Sequence, residues 1–143
     1  MAEYQTSIKI DAPVEKVFGF LSDPQNLPEI WPSIIEVKDV TQLPNGGTSF
    51  RYVYKMAGIR LEGSSEDIEF VPNERTVNKS KGGIEATQIW TFQPEDGGTK
   101  FVFDIKYNVP IPLLGKLAEA IVLKMNEGEA NLVLANLKAR MEA

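Results

Sequence analysis

The sequence predicts an α+β fold: a seven-stranded curved antiparallel sheet, two short helices after its first strand, and a long C-terminal helix laid across it. Three observations predict this. Residues 34–109 divide into six short strands set off by explicit turn signals. Their spacing of roughly 8 to 14 residues leaves no room for crossover helices, so neighbouring strands pair antiparallel through hairpins. Finally, the chain after Pro112 runs to its end without proline and reads as one helix.

The first strand is Glu3 to Asp11, where Tyr4, Thr6, Ile8 and Ile10 alternate with polar residues in the pattern of a half-buried strand. In the next segment Pro13 suits a first helical turn, and Val14, Val17, Phe18 and Leu21 fall at i, i+3, i+4 and i+7 of an amphipathic helix. Asp23 followed by Pro24 starts a second short helix through about Ile30, and Trp31-Pro32 stops it. Turn signals at Pro44 to Gly47, Ala57-Gly58, Pro72 to Glu74, Gly82-Gly83 and Pro94 to Gly98 punctuate the strands that follow. The clearest alternations put Phe50, Tyr52, Tyr54 and Met56 on one face, and Phe101, Phe103, Ile105 and Tyr107 on another. Arg75 to Lys81 reads as a solvated strand edge whose lysines guard against edge-to-edge association.

The long helix, Leu113 to Glu142, would span roughly 45 Å. Its main apolar stripe is expected along Leu114, Leu117, Ala118, Ile121, Met125, Leu132, Ala135 and Ala139, facing the sheet. Leu123, Leu134, Leu137 and Met141 form a second, smaller patch. It is either covered by the chain or a candidate homodimer surface.

At 143 residues, with 43% hydrophobic and 24% charged residues, the chain suits a single soluble domain over 1–143. No run approaches the ~20 apolar residues needed to cross a bilayer, so no stable membrane insertion is expected. The opening MAEYQTSIKI lacks a basic segment followed by an apolar one, which makes the cytoplasm the default location. A net charge of −5 and scattered basic residues speak against a nucleic-acid partner. Cysteine and histidine are both absent, which removes thiolate nucleophiles, Ser-His-Asp triads and the usual zinc ligands. Neither a metal nor a cofactor is expected, and any chemistry must use carboxylates, Tyr, Lys, Arg or hydroxyls.

One helix across a curled sheet cannot fill the enclosed volume, so a cavity is expected. Its proposed walls are Phe50, Tyr52, Tyr54, Met56, Leu61, Trp90, Phe92, Phe103 and Tyr107, a set that would serve equally as plain core. Gly63 and Ser65 share Leu61's face and would leave space there. Gly128 lies inside the helix, where glycine costs about 1 kcal/mol relative to alanine unless close approach, a bend or a ligand compensates. Met125 and Leu132 beside it would then face the pocket, and Glu129 would reach its mouth.

The opening strand, the Asp11 to Phe18 segment with Leu21-Ser22-Asp23-Pro24, the Trp31-Pro32 break, the Gly97-Gly98-Thr99 hairpin and the terminal helix together resemble the START/Bet v 1-like (SRPBCC) superfamily. Within it, the polyketide cyclase/dehydrase and lipid transport group is most similar. The resemblance covers essentially the whole chain and implies a helix-grip fold. It also implies a small hydrophobic ligand, such as a lipid, sterol, polyketide or quinone, held between sheet and helix. It carries over no catalytic residue, so binding or carriage is the first expectation. The alternatives are a cyclase or dehydratase using a pocket Tyr or carboxylate, and a protein-interaction module.

Carboxylates are the natural acid/base candidates in such a pocket, because burial raises a carboxyl pKa. Glu62 and Glu66 have the parity of the outer face, whereas Asp67 and Glu69 depend on whether the strand carries a bulge, since Ile68 and Phe70 switch the apolar parity. Arg51, Lys55 and Arg60 read as solvated surface or a rim that attracts an anionic head group.

Overall fold

The structure, a computed structural model, describes residues 2–56, 58–82, 85–108 and 115–143, with the side chains of 2, 56, 59 and 115–123 outside that description. Strand β1 (Ala2–Ile10) leads into helix α1 (Val14–Leu21), a 3-10 turn (Pro24–Asn26) and the single-turn helix α2 (Leu27–Ile30). Six strands follow: β2 (Ile34–Gln42), β3 (Thr48–Met56), β4 (Ile59–Val71), β5 (Arg75–Lys81), β6 (Glu85–Glu95) and β7 (Gly98–Asn108). Helix α3 (Gly115–Glu142) closes the chain. The seven strands form one sheet in the order β1-β7-β6-β5-β4-β3-β2, antiparallel throughout.

The local signals act as their chemistry dictates. The Asp23 carboxylate accepts from the Gln25 amide at 3.0 Å, capping the turn that Pro24 begins. Between β6 and β7, Asp96 and Gly97 both hold positive φ (47° and 79°). That is the two-residue hairpin turn whose twist matches the strands it joins. Edge strand β2 carries two register shifts, between Ile34 and Glu36 and between Lys38 and Thr41, and these break up the row of free backbone groups along that edge.

Two expectations are corrected. Strand β5 is an interior strand, hydrogen-bonded to β4 and β6, so its lysines do not guard an edge; Lys79 and Lys81 lie exposed on the outer face. On α3, the face toward the sheet is Ala130, Val133, Leu134, Leu137 and Met141, all buried, whereas Met125 and Leu132 are each 47% exposed. Ala135 and Ala139 are exposed as well. The patch of Leu134, Leu137 and Met141 is therefore core and offers no surface for a second copy; the side chain of Leu123, and the residues of the expected stripe before it, lie outside the description. Full burial of a leucine such as Leu137 contributes about 1.5–3 kcal/mol, and among its described side chains α3 gains it on this face.

Polar anchors fix that choice of face. Asn136 donates to the Ile30 carbonyl at 3.0 Å, Lys138 to the Lys9 carbonyl at 2.9 Å, and Lys16 on α1 to the Met141 carbonyl at 2.8 Å. Glu142 accepts from the Asp11 amide at 2.8 Å and from Lys138. The last two turns of α3 are thus pinned to β1, α1 and α2, and to Asp11 just after β1. The apolar cluster beneath joins Ile10, Val17, Phe18, Ile30, Trp31, Phe101 and Phe103 to the helix.

Candidate functional site

Between the inner face of the sheet and α3 lies a cavity of about 110 Å³. Its walls are aromatic. Phe50, Tyr52 and Tyr54 alternate along β3, Trp90 and Phe92 along β6, and Phe103 with Tyr107 along β7. Phe18 and Leu21 of α1 and Leu27 of α2 close the side left open by the sheet. Ring edges lock the walls: Phe18 meets Phe70 and Phe92 at 5.3 and 5.1 Å, and Trp31 meets Phe103 at 5.8 Å, each pair near perpendicular.

Two polar side chains enter from the described part of the helix, Asn126 and Glu129. The Glu129 carboxylate accepts from Trp31 Nε1 at 2.6 Å and from the Tyr54 hydroxyl at 2.7 Å on Oε1, and from the Ser33 hydroxyl on Oε2. The donors come from the end of α2, the start of β2 and the middle of β3, so α3 is held to three segments through one side chain. Burial, reinforced by the Glu129 charge, pushes the Tyr54 phenol far above its ordinary value, so it stays protonated and donating. Tyr107 is raised too, by burial, with a hydrogen bond from Asn126 opposing the shift.

A second polar region lies on β4 and β5. Ser65 faces Ser80 and Asp67 faces Asn78 across the pair, Thr76 lies further along β5 opposite Phe70, and the five polar residues all line the cavity. Ser65 donates to Asn78, whose amide donates in turn to Asp67 Oδ1 at 3.3 Å, while the Thr48 amide donates to Asp67 Oδ2 at 2.9 Å. Burial raises the Asp67 carboxyl above its ordinary value and these donors pull it back in part. Asp67 keeps the inward parity of Ser65, and a bulge follows it. The register shifts between Asp67 and Glu69, leaving Ile68 48% exposed and returning Phe70 to the inner face. Glu62, Glu66 and Glu69 are exposed.

Of the residues the sequence nominated, Phe50, Tyr52, Tyr54, Ser65, Trp90, Phe92, Phe103, Tyr107 and Glu129 line the cavity. Met56 has its side chain outside the description. Leu61 packs against the core beyond the cavity wall. Gly63 does leave space, but for its own neighbour: a Cβ there would lie 2.6 Å from the Tyr52 hydroxyl oxygen and 2.5 Å from the Lys81 carbonyl. The Tyr52 ring covers its cross-strand partner, so Gly63 shapes the wall without touching the cavity. Met125, Gly128 and Leu132 are exposed on the far side of α3, and nothing lies within 4 Å of where a Gly128 Cβ would be. Their assignment to the pocket fails because the helix presents its other face.

Sequence reasoning missed Trp31 and Ser33 as partners of Glu129, and the neutral polar row Thr76, Asn78 and Ser80. The row carried a signal: small neutral polar residues alternate with Arg75, Val77, Lys79 and Lys81, which marks one face as different from the solvated one. Arg51, Lys55 and Arg60 are exposed and line none of the cavity. Among the described residues, no group of three or more Asp or Glu side chains is arranged to hold a metal, and no helix is long and apolar enough to cross a membrane.

Comparison with known proteins places this geometry among relatives. The family described as polyketide cyclase / dehydrase and lipid transport matches residues 1–142. Among solved structures, TTHA0849 from Thermus thermophilus is 26% identical, with a TM-score of 0.76 over 98% of this chain and 97% of that one. A START superfamily protein from Mycobacterium smegmatis, 16% identical, shares the fold at a TM-score of 0.81, covering 98% and 97%. The di-domain ARO/CYC StfQ from the steffimycin biosynthetic pathway, 18% identical, does so at 0.80, covering 98% of this chain and 50% of that one. No curated protein sequence matches the chain.

Proposed function

The chain belongs to the polyketide cyclase / dehydrase and lipid transport family, and on that premise we propose that it binds and carries a small hydrophobic molecule between the sheet and α3. The observation that carries this is the cavity lining. Aromatic rings from α1 and from strands β3, β4, β6 and β7 enclose the space, and a few polar side chains converge on it, which is the make-up of sites that hold an apolar body and fix its orientation. A volume of about 110 Å³ is below the ~300 Å³ of common drug-sized pockets, which favours a compact ring system or the end of a chain over a whole lipid. Native mass spectrometry and solvent extraction of the purified protein, followed by thermal shift with a panel of bicyclic aromatics, quinones and short polyketides, test it. No co-purifying molecule and no shift across the panel would end this reading.

A second reading, a cyclase or dehydratase, draws on the Tyr54–Glu129 pair. Were its hydroxyl to turn from Glu129 to a ligand carbonyl, the buried, protonated Tyr54 phenol would donate there and leave Glu129 Oε1 free to accept a proton. The other lining carboxylate, Asp67, is held through Thr48, six residues from Tyr54 on β3 and so roughly 20 Å away along the strand. Turnover of a poly-β-ketone surrogate that survives Tyr54→Phe and Glu129→Gln would remove this role.

A further inference from the structure

The charge of the cavity lining is one-sided. Glu129 and Asp67 line it, and no Lys or Arg does among the described residues. Glu129 is held by Trp31, Ser33 and Tyr54, all neutral donors, and forms no ion pair within the described residues. Neutral donors satisfy the oxygens but supply no counter-charge, so a cation arriving in the cavity meets two carboxyl groups and no Lys or Arg among the described residues, whereas an anion meets no cationic partner there.

The surroundings of Glu129 suit the same charge. Aromatic rings form most of the remaining lining, and a ring face presented to an ammonium group attracts it, more strongly where water is excluded. Asp67 is a weaker pole. It accepts a backbone amide and the Asn78 side chain, and burial favours its neutral form.

We infer that the cavity selects hydrophobic ligands bearing a protonated amine, with the ammonium seated against Glu129 and the apolar ring body among the aromatic walls, and that it rejects carboxylates and phosphates of the same shape. This rests on the carrier reading and names the chemical class of its ligand.

Three compounds with one skeleton test it: 1-naphthylmethylamine, 1-naphthylmethanol and 1-naphthylacetate, each titrated calorimetrically into the protein at pH 7 and low salt. The amine is expected to bind about tenfold more tightly than the alcohol, and the acid more weakly than the alcohol by a similar factor. In Glu129→Gln the advantage of the amine over the alcohol should vanish. An acid that binds as well as the alcohol overturns the inference, and so does an amine advantage that persists in Glu129→Gln. The ranking by the unaltered protein decides the matter by itself if the variant does not fold. Binding of the alcohol without preference for the amine defeats only the charge selection, whereas failure of all three to bind defeats the carrier reading with it.

Discussion

The Tyr54 hydroxyl on β3 donates to Oε1 of Glu129 on α3 at 2.7 Å, joining strand to helix across 75 positions of chain. Trp31 Nε1 donates to the same oxygen at 2.6 Å, so the carboxylate is held by groups far apart in sequence that only the fold brings together.

Removing the phenol tests the worth of that link. Tyr54→Phe keeps the ring and deletes one donor to a charged group, so a loss of about 1.5–3 kcal/mol in urea-unfolding free energy is expected. An unchanged midpoint would show that water replaces the hydroxyl at no cost.

Two glycines should respond in opposite directions. Gly63→Ala would drive a Cβ to within 2.5 Å of the Lys81 carbonyl and 2.6 Å of the Tyr52 hydroxyl, and a destabilisation of about 1–3 kcal/mol follows from overpacking. Gly128→Ala meets nothing within 4 Å on an exposed helix face and should stabilise by about 0.5–1 kcal/mol. Thermal unfolding of the two variants checks both signs.

The facing of α3 predicts unequal costs for two leucines. Leu137→Ala empties a fully buried position and should cost about 2–5 kcal/mol, whereas Leu132→Ala, at a position 47% exposed, should stay within about 0.5 kcal/mol. Equal effects in denaturant titrations would place the helix the other way round.

Two carboxyls should titrate with opposite displacement. The Asp67 value is raised by burial, so the folded state holds its proton more tightly than the unfolded one, and its destabilising charge is relieved as pH falls through the folded value. Glu142 is lowered by the Asp11 amide and Lys138, so its stabilisation is present above the unfolded value and is lost as pH falls through the folded one. Carboxyl carbon NMR shifts followed from pH 7 to about 3 should place Asp67 above and Glu142 below their ordinary ranges. The advantage in melting temperature of the unaltered chain over Glu142→Gln should disappear over the acid part of that range.

Much of the fold was legible because local chemistry specifies it. Alternation marked β3 and β7, the Asp96-Gly97 turn fixed β6 in register beside β7, and Asp23-Pro24 placed the turn after α1. The walls of the cavity followed from the same alternation, since a residue's parity on a strand fixes its face. The conditional reading of Asp67 was open for a physical reason: a one-residue bulge at Ile68 reverses parity, and the sequence shows the change of pattern without showing where the extra residue sits.

The facing of α3 was read wrongly because the helix carries two apolar stripes. Side-chain volume held a clue: the buried face has Val133, Leu134, Leu137 and Met141, whereas the exposed described stripe has Met125 and Leu132 with two alanines. The sequence by itself determined seven antiparallel strands, a long terminal helix, an aromatic inner face and a chain without histidine or cysteine chemistry. Only the tertiary structure decided which face of α3 meets the sheet, and therefore that Glu129 enters the cavity while Gly128 beside it faces outward. Adjacent helical residues point about 100° apart, so the anchors from Lys16, Asn136, Lys138 and Glu142, none of which lines the cavity, set which of the two faces in.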